Sequence, residues 1–206
     1  MRLILASGSP RRSSLLRAAG FTFDVFAVEV DERFRTGETA EQYVARLADA
    51  KAGAAAASLR RAQTPTTPFS DVVLGAEDVV LGADTTVVSN GQVLGKPADN
   101  ADAERMIRLL AGRTHEVLTG VHLLKGDRSL AHVERSQVRM SALTETEIAW
   151  YVASGEPIDK AGAYAIQGLA SRFIEGIEGS YSNVVGLPVA RVHTLLKALG
   201  CGILAV

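Results

Sequence analysis

Cysteine is nearly absent from this sequence of 206 residues, occurring once, at Cys201. A single cysteine excludes an intrachain disulfide and any metal cluster built from cysteines. In its apolar segment near the C-terminus, Cys201 is most simply a small hydrophobic residue. This cysteine usage is compatible with a reducing compartment.

The chain also lacks a charge excess and a long hydrophobic run. Its formal net charge is −1 at pH 7, whereas nucleic-acid surfaces normally carry a strong basic excess. The apolar run at residues 3–6 is short and is followed at once by polar residues, unlike a signal peptide, and no run reaches the length of a membrane span. We therefore expect a cytoplasmic protein that has no nucleic-acid partner and no membrane contact.

Two further patterns of catalysis are missing. No serine lies in a Gly-x-Ser-x-Gly setting, so the sequence does not predict a nucleophile elbow. The histidines show no metal-ligand spacing; they are His115, His122, His132 and His193. Only His115, at the start of a predicted strand, is retained as a residue that could support a functional site.

The N-terminal stretch shows what the chain does contain. Residues 3–6 are typical of a buried strand, and Ser9 and Pro10 predict the start of a helix that ends near Gly20. The turn between them presents backbone N–H groups beside Arg11 and Arg12. This arrangement suits a phosphate or a polyphosphate. The alternative is an ordinary turn with its arginines in solvent.

Strands and helices alternate along the rest of the chain, which predicts a mixed α/β sheet flanked by helices. The predicted strands are 21–30, 72–77, 79–84, the hairpin 85–94 and the hairpin 114–140. The predicted helices start at the Thr39–Gln42 capping box, at Asp99 or Asn100, at the Thr144–Glu147 capping box and at Pro188. Residues 60–70 read as a loop, and the glycine-rich residues 156–183 as a functional surface.

Two carboxylates, those of Glu32 and Asp84, end predicted strands, and Lys96 follows Asp84 by one hairpin. Ligands tend to bind at the strand ends of open sheets. Carboxylates with phosphate oxygens suit Mg²⁺, and a carboxylate can deprotonate an attacking water. The alternative is that these are solvated turn carboxylates and a surface lysine.

Short motifs that cover nearly the whole chain resemble those of the Maf-like nucleoside triphosphate pyrophosphatases, also called septum-formation inhibitor proteins. The motifs are Ser7-Gly8-Ser9-Pro10-Arg11-Arg12, Asp31-Glu32, Lys51-Ala52, Gly82-Ala83-Asp84-Thr85, Gly95-Lys96-Pro97, Thr114-His115, Thr119-Gly120, Glu156-Pro157, Asp159-Lys160-Ala161-Gly162-Ala163-Tyr164, Ile166-Gln167-Gly168, Gly179-Ser180-Tyr181, Asn183-Val184-Val185-Gly186 and Leu187-Pro188. Each motif alone is weak evidence for the family, but the occurrence of so many of its motifs in one order is very specific.

The resemblance implies hydrolysis of a nucleoside triphosphate between its α and β phosphates, with a divalent cation such as Mg²⁺ or Mn²⁺. It implies that Asp84 is the proton acceptor and that Glu32 and Lys96 are needed for activity. Glu32 and Asp84 are the expected metal ligands. The expected phosphate-binding residues are Ser7, Ser9, Arg11, Arg12 and Lys51.

Three positions resemble the branch that hydrolyses dTTP and UTP: Arg11, Thr85 and Gln167. Uracil and thymine present an N3–H donor between two carbonyl oxygens. A carboxamide such as that of Gln167 can pair with one N–H and one carbonyl in a plane. Cytosine reverses this pattern, so it would be rejected.

The resemblance also implies one domain over residues 1–206, built as an elongated, two-lobed mixed α/β fold with a substrate cleft between the lobes, and a homodimer. Its expected role is nucleotide-pool housecleaning. A nucleotide-binding regulator of cell division with little turnover is the alternative, and a phosphatase that releases inorganic phosphate is a third hypothesis.

A near-repeat at Gly75-Ala76-Glu77 mimics the catalytic strand. We assign that strand to Asp84, since only this copy is followed by Thr85 and by the hairpin to Lys96.

Overall fold

A computed structural model describes residues 2–61 and 74–202, and within them the chain forms seven strands and six α-helices. The strands are β1 (Leu3–Leu5), β2 (Phe23–Val25), β3 (Val79–Ser89), β4 (Gln92–Leu94), β5 (Thr114–Lys125), β6 (Arg128–Met140) and β7 (Ile174–Glu178). The helices are α1 (Pro10–Ala18), α2 (Ala40–Arg61), α3 (Asn100–Leu110), α4 (Glu145–Ala153), α5 (Tyr181–Val185) and α6 (Val189–Ala198). Three short 3₁₀ helices cover Glu156–Asp159, Ala161–Ala163 and Leu169–Phe173.

The strands form one sheet in the order β2-β1-β3-β5-β6-β7, with β4 paired to β3. Strand β1 is parallel to β2 and to β3, whereas β4 is antiparallel to β3 and β7 is antiparallel to β6. The predicted mixed α/β sheet is thus confirmed. No helix in the described part of the chain is long and apolar enough to cross a membrane.

The chain divides into two compact units. The first unit comprises Met1–Asp84, Gly120–Val133 and Val189–Val206, and the second comprises Thr85–Thr119 and Glu134–Pro188. In the first unit, a core of Ile4, Val80 and Leu59 packs with the alanines of α2. In the second unit, α3 and α4 pack around a larger core that contains Tyr151 and Phe173. The prediction of one two-lobed domain with a cleft stays a prediction.

Most element starts lie where local signals put them. The Thr39–Gln42 pair forms the predicted capping box of α2, through bonds of 2.9 and 3.2 Å. Asp99, rather than Asn100, caps α3 by accepting from Asp102 N at 2.8 Å. Ser9 precedes α1 as predicted, but its side chain makes no capping bond.

Two strand predictions need correction, and one strand was not predicted. The strand predicted over residues 21–30 is limited to Phe23–Val25, because its partner β1 has three residues to pair with. The strand predicted over residues 72–77 is wrong where it can be checked: residues 74 and 75 are irregular and residues 76 and 77 form a turn, while residues 72 and 73 lie outside the described part. Within the glycine-rich residues 156–183, strand β7 was not predicted. The loop predicted over residues 60–70 is wrong for residues 60 and 61, which belong to α2, and residues 62–70 lie outside the described part.

Candidate active site

The candidate site of the first unit starts where β1 ends beside its parallel neighbour β3, which continues past this point. Leu5 of β1 is in register with Leu81 of β3, and Ala6 N donates to Leu81 O at 2.8 Å. Strand β1 ends at Leu5, whereas β3 continues through Asp84 to Ser89, so the turn that begins at Ser7 leaves β1 beside the part of β3 that carries Asp84.

Arg12 ties this turn to the middle of β3. Its side chain is buried, and its Nη1 donates to Ser7 Oγ at 2.9 Å and to Ala83 O at 2.8 Å. Burial lowers the pKa of Arg12 below its ordinary value, while the Asp84 carboxylate acts in the opposite direction. The guanidinium remains charged over the physiological range and brings positive charge to the turn at Ser7 and to the part of β3 next to Asp84.

Lys51 joins the two predicted catalytic carboxylates. Its Nζ lies 2.6 Å from Glu32 Oε1 and 2.7 Å from Asp84 Oδ1. Lys51 and Asp84 are both buried, whereas the Glu32 side chain is 49% exposed. The lysine therefore compensates the buried charge of Asp84 and draws the more exposed Glu32 toward it.

A glycine allows this approach between α2 and β3. A Cβ atom added at Gly82 would lie 2.1 Å from Ala48 O and 2.7 Å from Ala52 N. The backbone of β3 therefore passes directly against α2, one turn of helix from Lys51. In the Gly-Ala-Asp motif, Gly82 is thus required for the close packing of β3 against α2, whereas Asp84 is the residue with the predicted chemical role.

The loop that carries Glu32 is held by two α2 side chains that sequence reasoning missed. The Tyr43 phenol donates to Glu32 O at 2.9 Å, and Arg46 Nη2 donates to Arg33 O at 3.1 Å. Burial, Asp84 and Glu32 together raise the pKa of Tyr43 to about 12. Helical spacing puts Tyr43 and Arg46, three residues apart, on one face of α2, but no local signal shows that this face contacts the Glu32 loop.

The remaining predicted phosphate ligands lie at the start of α1. Ser9 is half-buried, and its backbone N–H donates to Ser7 Oγ at 3.3 Å. Arg11 is half-buried in the first turn of α1, a turn that contains no acidic residue. A helix N-terminus with two arginines and no acidic side chain favours an anion.

The second unit contains the other three predicted site residues. Thr85 is half-buried; its Oγ1 lies 2.9 Å from Thr119 Oγ1 and donates to Gly186 O at 3.2 Å. Lys96 is exposed beyond β4, and Gln167 is exposed in a turn before the third 3₁₀ helix. Thr85 is therefore fixed by its neighbours, and the two longer side chains face solvent.

His115, retained as a possible supporting residue, lies elsewhere in the second unit. It is buried, and its Nε2 lies 2.8 Å from the Tyr164 phenol oxygen. Burial lowers its pKa to about 4. It contacts neither Thr85 nor Gln167 through its described hydrogen bond.

The donor set of the first unit fits a hard divalent cation. No group of three or more His, Cys, Asp or Glu side chains in residues 2–61 and 74–202 is arranged to hold a metal ion. Glu32 and Asp84, however, share one ammonium group, so both carboxylates reach one small region. Mg²⁺ is commonly held by one or two carboxylates, with water and substrate phosphates completing its shell.

Glu77, the carboxylate of the near-repeat, lies apart from this cluster. It is exposed and forms an ion pair with Lys125 at 2.8 Å. Asp78, beside it, pairs with Arg2 at 2.8 Å. The similarity of the two Gly-Ala-acid sequences is thus not matched by similar surroundings.

Comparison with known proteins places the chain in a family. The model of the Maf-like protein family matches residues 2–199. The chain therefore belongs to the Maf-like protein family, as its motifs predict.

Full-length relatives are closely similar. The dTTP/UTP pyrophosphatase of Koribacter versatilis is 48% identical over 200 residues, covering 97% of this chain and 95% of the relative. The dTTP/UTP pyrophosphatase of Symbiobacterium thermophilum is 47% identical over 200 residues, covering 97% and 94%. Among solved structures, the Ham1 protein of Staphylococcus aureus matches with a TM-score of 0.48 and 14% identity, over 97% of this chain and 100% of that one.

Proposed function

We propose that this protein hydrolyses dTTP and UTP to the nucleoside monophosphate and pyrophosphate. The observation that carries the proposal is the cluster in which Lys51 holds Glu32 and Asp84, beside the buried Arg12. Such a cluster combines a carboxylate base with cations that suit a polyphosphate. The names of the 45–48% identical relatives support the same substrates.

Asp84 is the proposed proton acceptor. It would take a proton from a water molecule that attacks the α-phosphorus, and the bond to the β-phosphate oxygen would break, so pyrophosphate leaves. Lys51 orients Asp84 by donating to its Oδ1. No residue needs to become covalently attached to the substrate.

Arg11, Arg12, Ser7, Ser9 and Lys51 are the proposed phosphate ligands. The guanidinium groups and the N-terminus of α1 offer donors and positive charge to phosphate oxygens. In the second unit, Lys96 is proposed to stabilise the charge of the departing pyrophosphate.

Glu32 and Asp84 would hold a divalent cation, Mg²⁺ or Mn²⁺. When bound, the cation would offset negative charge on the substrate phosphates. Glu32 is held for this role by its Lys51 ion pair and by the Tyr43 bond to its backbone oxygen.

Gln167 and Thr85 are proposed to select the base, together with Arg11. Gln167 is exposed and can offer a carbonyl to N3–H and an amide N–H to a neighbouring base carbonyl. Cytosine would place acceptor against acceptor and donor against donor, which costs binding energy in a desolvated contact.

The test is product analysis with dTTP, UTP, CTP and GTP in the presence of Mg²⁺, using ¹⁸O-labelled water. We expect pyrophosphate from dTTP and UTP, with the label in the monophosphate. Asp84→Asn should lower kcat by about 10²–10⁴-fold. The matched control is Glu77→Gln, which alters the look-alike motif and should keep wild-type activity.

Three results would contradict the proposal. Release of inorganic phosphate would indicate a phosphatase, and equal turnover of all four nucleotides would remove the base-selection role of Gln167. Tight dTTP binding without turnover would indicate a nucleotide-binding regulator.

A homodimer and a cytoplasmic location are further parts of the proposal, supported by the family resemblance. Sedimentation velocity tests the first, with a monomer as the contrary result. Cell fractionation tests the second.

A further inference from the structure

The turn that carries Gln167 is held at both ends by two side chains of the second unit. On one side, Ala165 N donates to the Tyr151 phenol oxygen at 3.3 Å. On the other side, Leu169 N donates to Glu156 Oε2 at 2.8 Å, and Ala170 N donates to Glu156 Oε1 at 3.3 Å. Gln167 therefore lies midway between two anchored backbone segments.

The two anchoring side chains are also bonded to each other. The Tyr151 phenol donates to Glu156 Oε1 at 2.9 Å. Tyr151 is completely buried, and burial and the Glu156 carboxylate raise its pKa, so the phenol keeps the proton that it donates. Tyr151 and Glu156 thus form a continuous hydrogen-bonded path around the turn.

The turn is shaped to receive the carboxylate. A Cβ atom at Gly168 would lie 2.0 Å from Glu156 Oε2 and 2.5 Å from its carboxyl carbon. Gly168 has a φ of −115°, which any residue can adopt, so glycine is needed here for space. The residue directly after Gln167 must therefore be glycine for Glu156 to reach the turn.

The backbone of Glu156 is itself fixed. Glu156 N donates to Ser154 Oγ at 3.2 Å, and Lys160 Nζ donates to Glu156 O at 2.8 Å. The carboxylate therefore projects from an anchored position at the start of the 3₁₀ helix Glu156–Asp159 and can transmit that position to the turn.

We propose that Glu156, supported by Tyr151, is a positioning residue that sets the place of Gln167 and thereby the preference for one pyrimidine base over another. The inference rests on the proposed function, in which Gln167 pairs with the base. A planar amide–base pair is sensitive to displacement, and a misplacement of about 1 Å can cost as much as a hundredfold in rate. Glu156 itself need not touch the substrate.

The competing explanation is that Glu156 only caps the 3₁₀ helix Leu169–Phe173. Another glutamate of the second unit provides the matched control. Glu147 accepts from Thr144 N and from Thr144 Oγ1, each at 2.8 Å, in the capping box of α4. Its carboxylate also stabilises a helix N-terminus, but none of its described hydrogen bonds goes to the Gln167 turn.

The test compares kcat/KM for dTTP and CTP, together with Tm, in wild type, Glu156→Gln and Glu147→Gln. The Glu156→Gln amide keeps the size of the side chain but replaces one acceptor oxygen with a donor. We expect it to lower kcat/KM for dTTP by about tenfold or more, mainly through KM. The ratio of kcat/KM for dTTP to kcat/KM for CTP, here called the dTTP:CTP ratio, should also fall. Glu147→Gln should lower Tm and keep the wild-type ratio.

A double mutant separates positioning from general damage. In a Gln167→Ala background, Glu156→Gln should change the dTTP:CTP ratio little, because the group that it positions is gone. If Glu156→Gln fails to fold, Tyr151→Phe keeps the buried ring, removes the phenol oxygen from the path and should also lower the ratio.

Each contrary result has a distinct meaning. A wild-type ratio in Glu156→Gln or in Tyr151→Phe would overturn the positioning role and leave a helix cap. Absence of any dTTP preference in the wild type would overturn base reading by Gln167, and the inference with it.

Discussion

Thr86 and Thr119 are both buried, with 1% and 0% exposure, yet their hydroxyl groups differ. Thr119 Oγ1 lies 2.9 Å from Thr85 Oγ1 and donates to Asn183 O at 3.3 Å. Thr86 Oγ1 has no hydrogen-bond partner among the described residues. A buried hydroxyl without a partner costs stability, whereas one that is paired contributes to it.

Replacement of each threonine by valine, which keeps its shape, should therefore have opposite effects. We expect Thr86→Val to raise the free energy of unfolding by about 1 kcal/mol, because it removes an unpaired buried hydroxyl. Thr119→Val should lower it by about 1–2 kcal/mol, because it leaves the groups around Thr85 without their partner. Urea denaturation measures both, and a loss of stability in Thr86→Val would show that its hydroxyl is satisfied in solution.

Single residues also show how far the sequence could predict the candidate site. Glu32 and Asp84 could be selected from their motifs, but the prediction that each ends a strand is wrong, since β2 stops at Val25 and β3 continues through Asp84 to Ser89. Tyr43 and Arg46 could not, since their contacts with the Glu32 loop depend on how α2 packs. The bridging position of Lys51 is likewise a tertiary feature that local sequence does not encode.

At the scale of elements, two glycines at helix α2 differ in whether the structure needs them to lack a side chain. Gly82 in β3 faces the helix backbone, and an added Cβ would meet Ala48 O at 2.1 Å. Gly53 lies within α2, and an added Cβ there has no neighbouring atom within 4 Å. The structure therefore has no room for a side chain at Gly82, whereas it has room for one at Gly53.

Gly82→Ala should consequently destabilise the protein by about 3 kcal/mol or more, because β3 must move away from α2. Activity should fall with it, since the same contact sets Lys51 beside Asp84. Gly53→Ala should stabilise by about 0.5–1 kcal/mol, because alanine restricts the unfolded chain and favours helix. Thermal unfolding and kcat check both variants, and a well-folded, fully active Gly82→Ala would contradict the close contact.

Elements were predicted well where their signals are local. The Thr39–Gln42 and Thr144–Glu147 capping boxes and the Asn90-Gly91 hairpin turn all form as expected. Strand lengths were predicted less well, because a strand ends where its partner ends. Strand β2 stops with β1, and β7 exists through its pairing with β6 rather than through its own glycine-containing sequence.

At the scale of the whole molecule, the dependence of stability on pH rests in part on His115. It is 1% exposed, its Nε2 lies 2.8 Å from the Tyr164 phenol oxygen, and the two rings meet edge to face. Its Nδ1 has no hydrogen-bond partner among the described residues. Burial lowers the pKa of His115 to about 4 and raises the pKa of Tyr164, so both groups are neutral in the folded protein at pH 7.

The unfolded chain returns His115 to its ordinary pKa of about 6.5. Between pH 6.5 and about 4 the unfolded state therefore binds a proton that the folded state does not. Stability should fall as pH falls through this window, by roughly 3 kcal/mol in total for this group, and the loss should level off below it. Burial lowers the pKa of His122 as well, so the wild type has a second contribution of the same sign.

His115→Gln isolates the first contribution, because glutamine does not titrate. The free energy of unfolding, measured by urea denaturation from pH 7 to pH 4.5, should decline less steeply in this variant than in the wild type. The wild type, measured in parallel under the same conditions, is the control. Since the comparison is between slopes, a constant loss of packing energy in His115→Gln does not affect it. Equal slopes in His115→Gln and wild type would mean that the folded protein takes up a proton at His115, against its burial beside Tyr164.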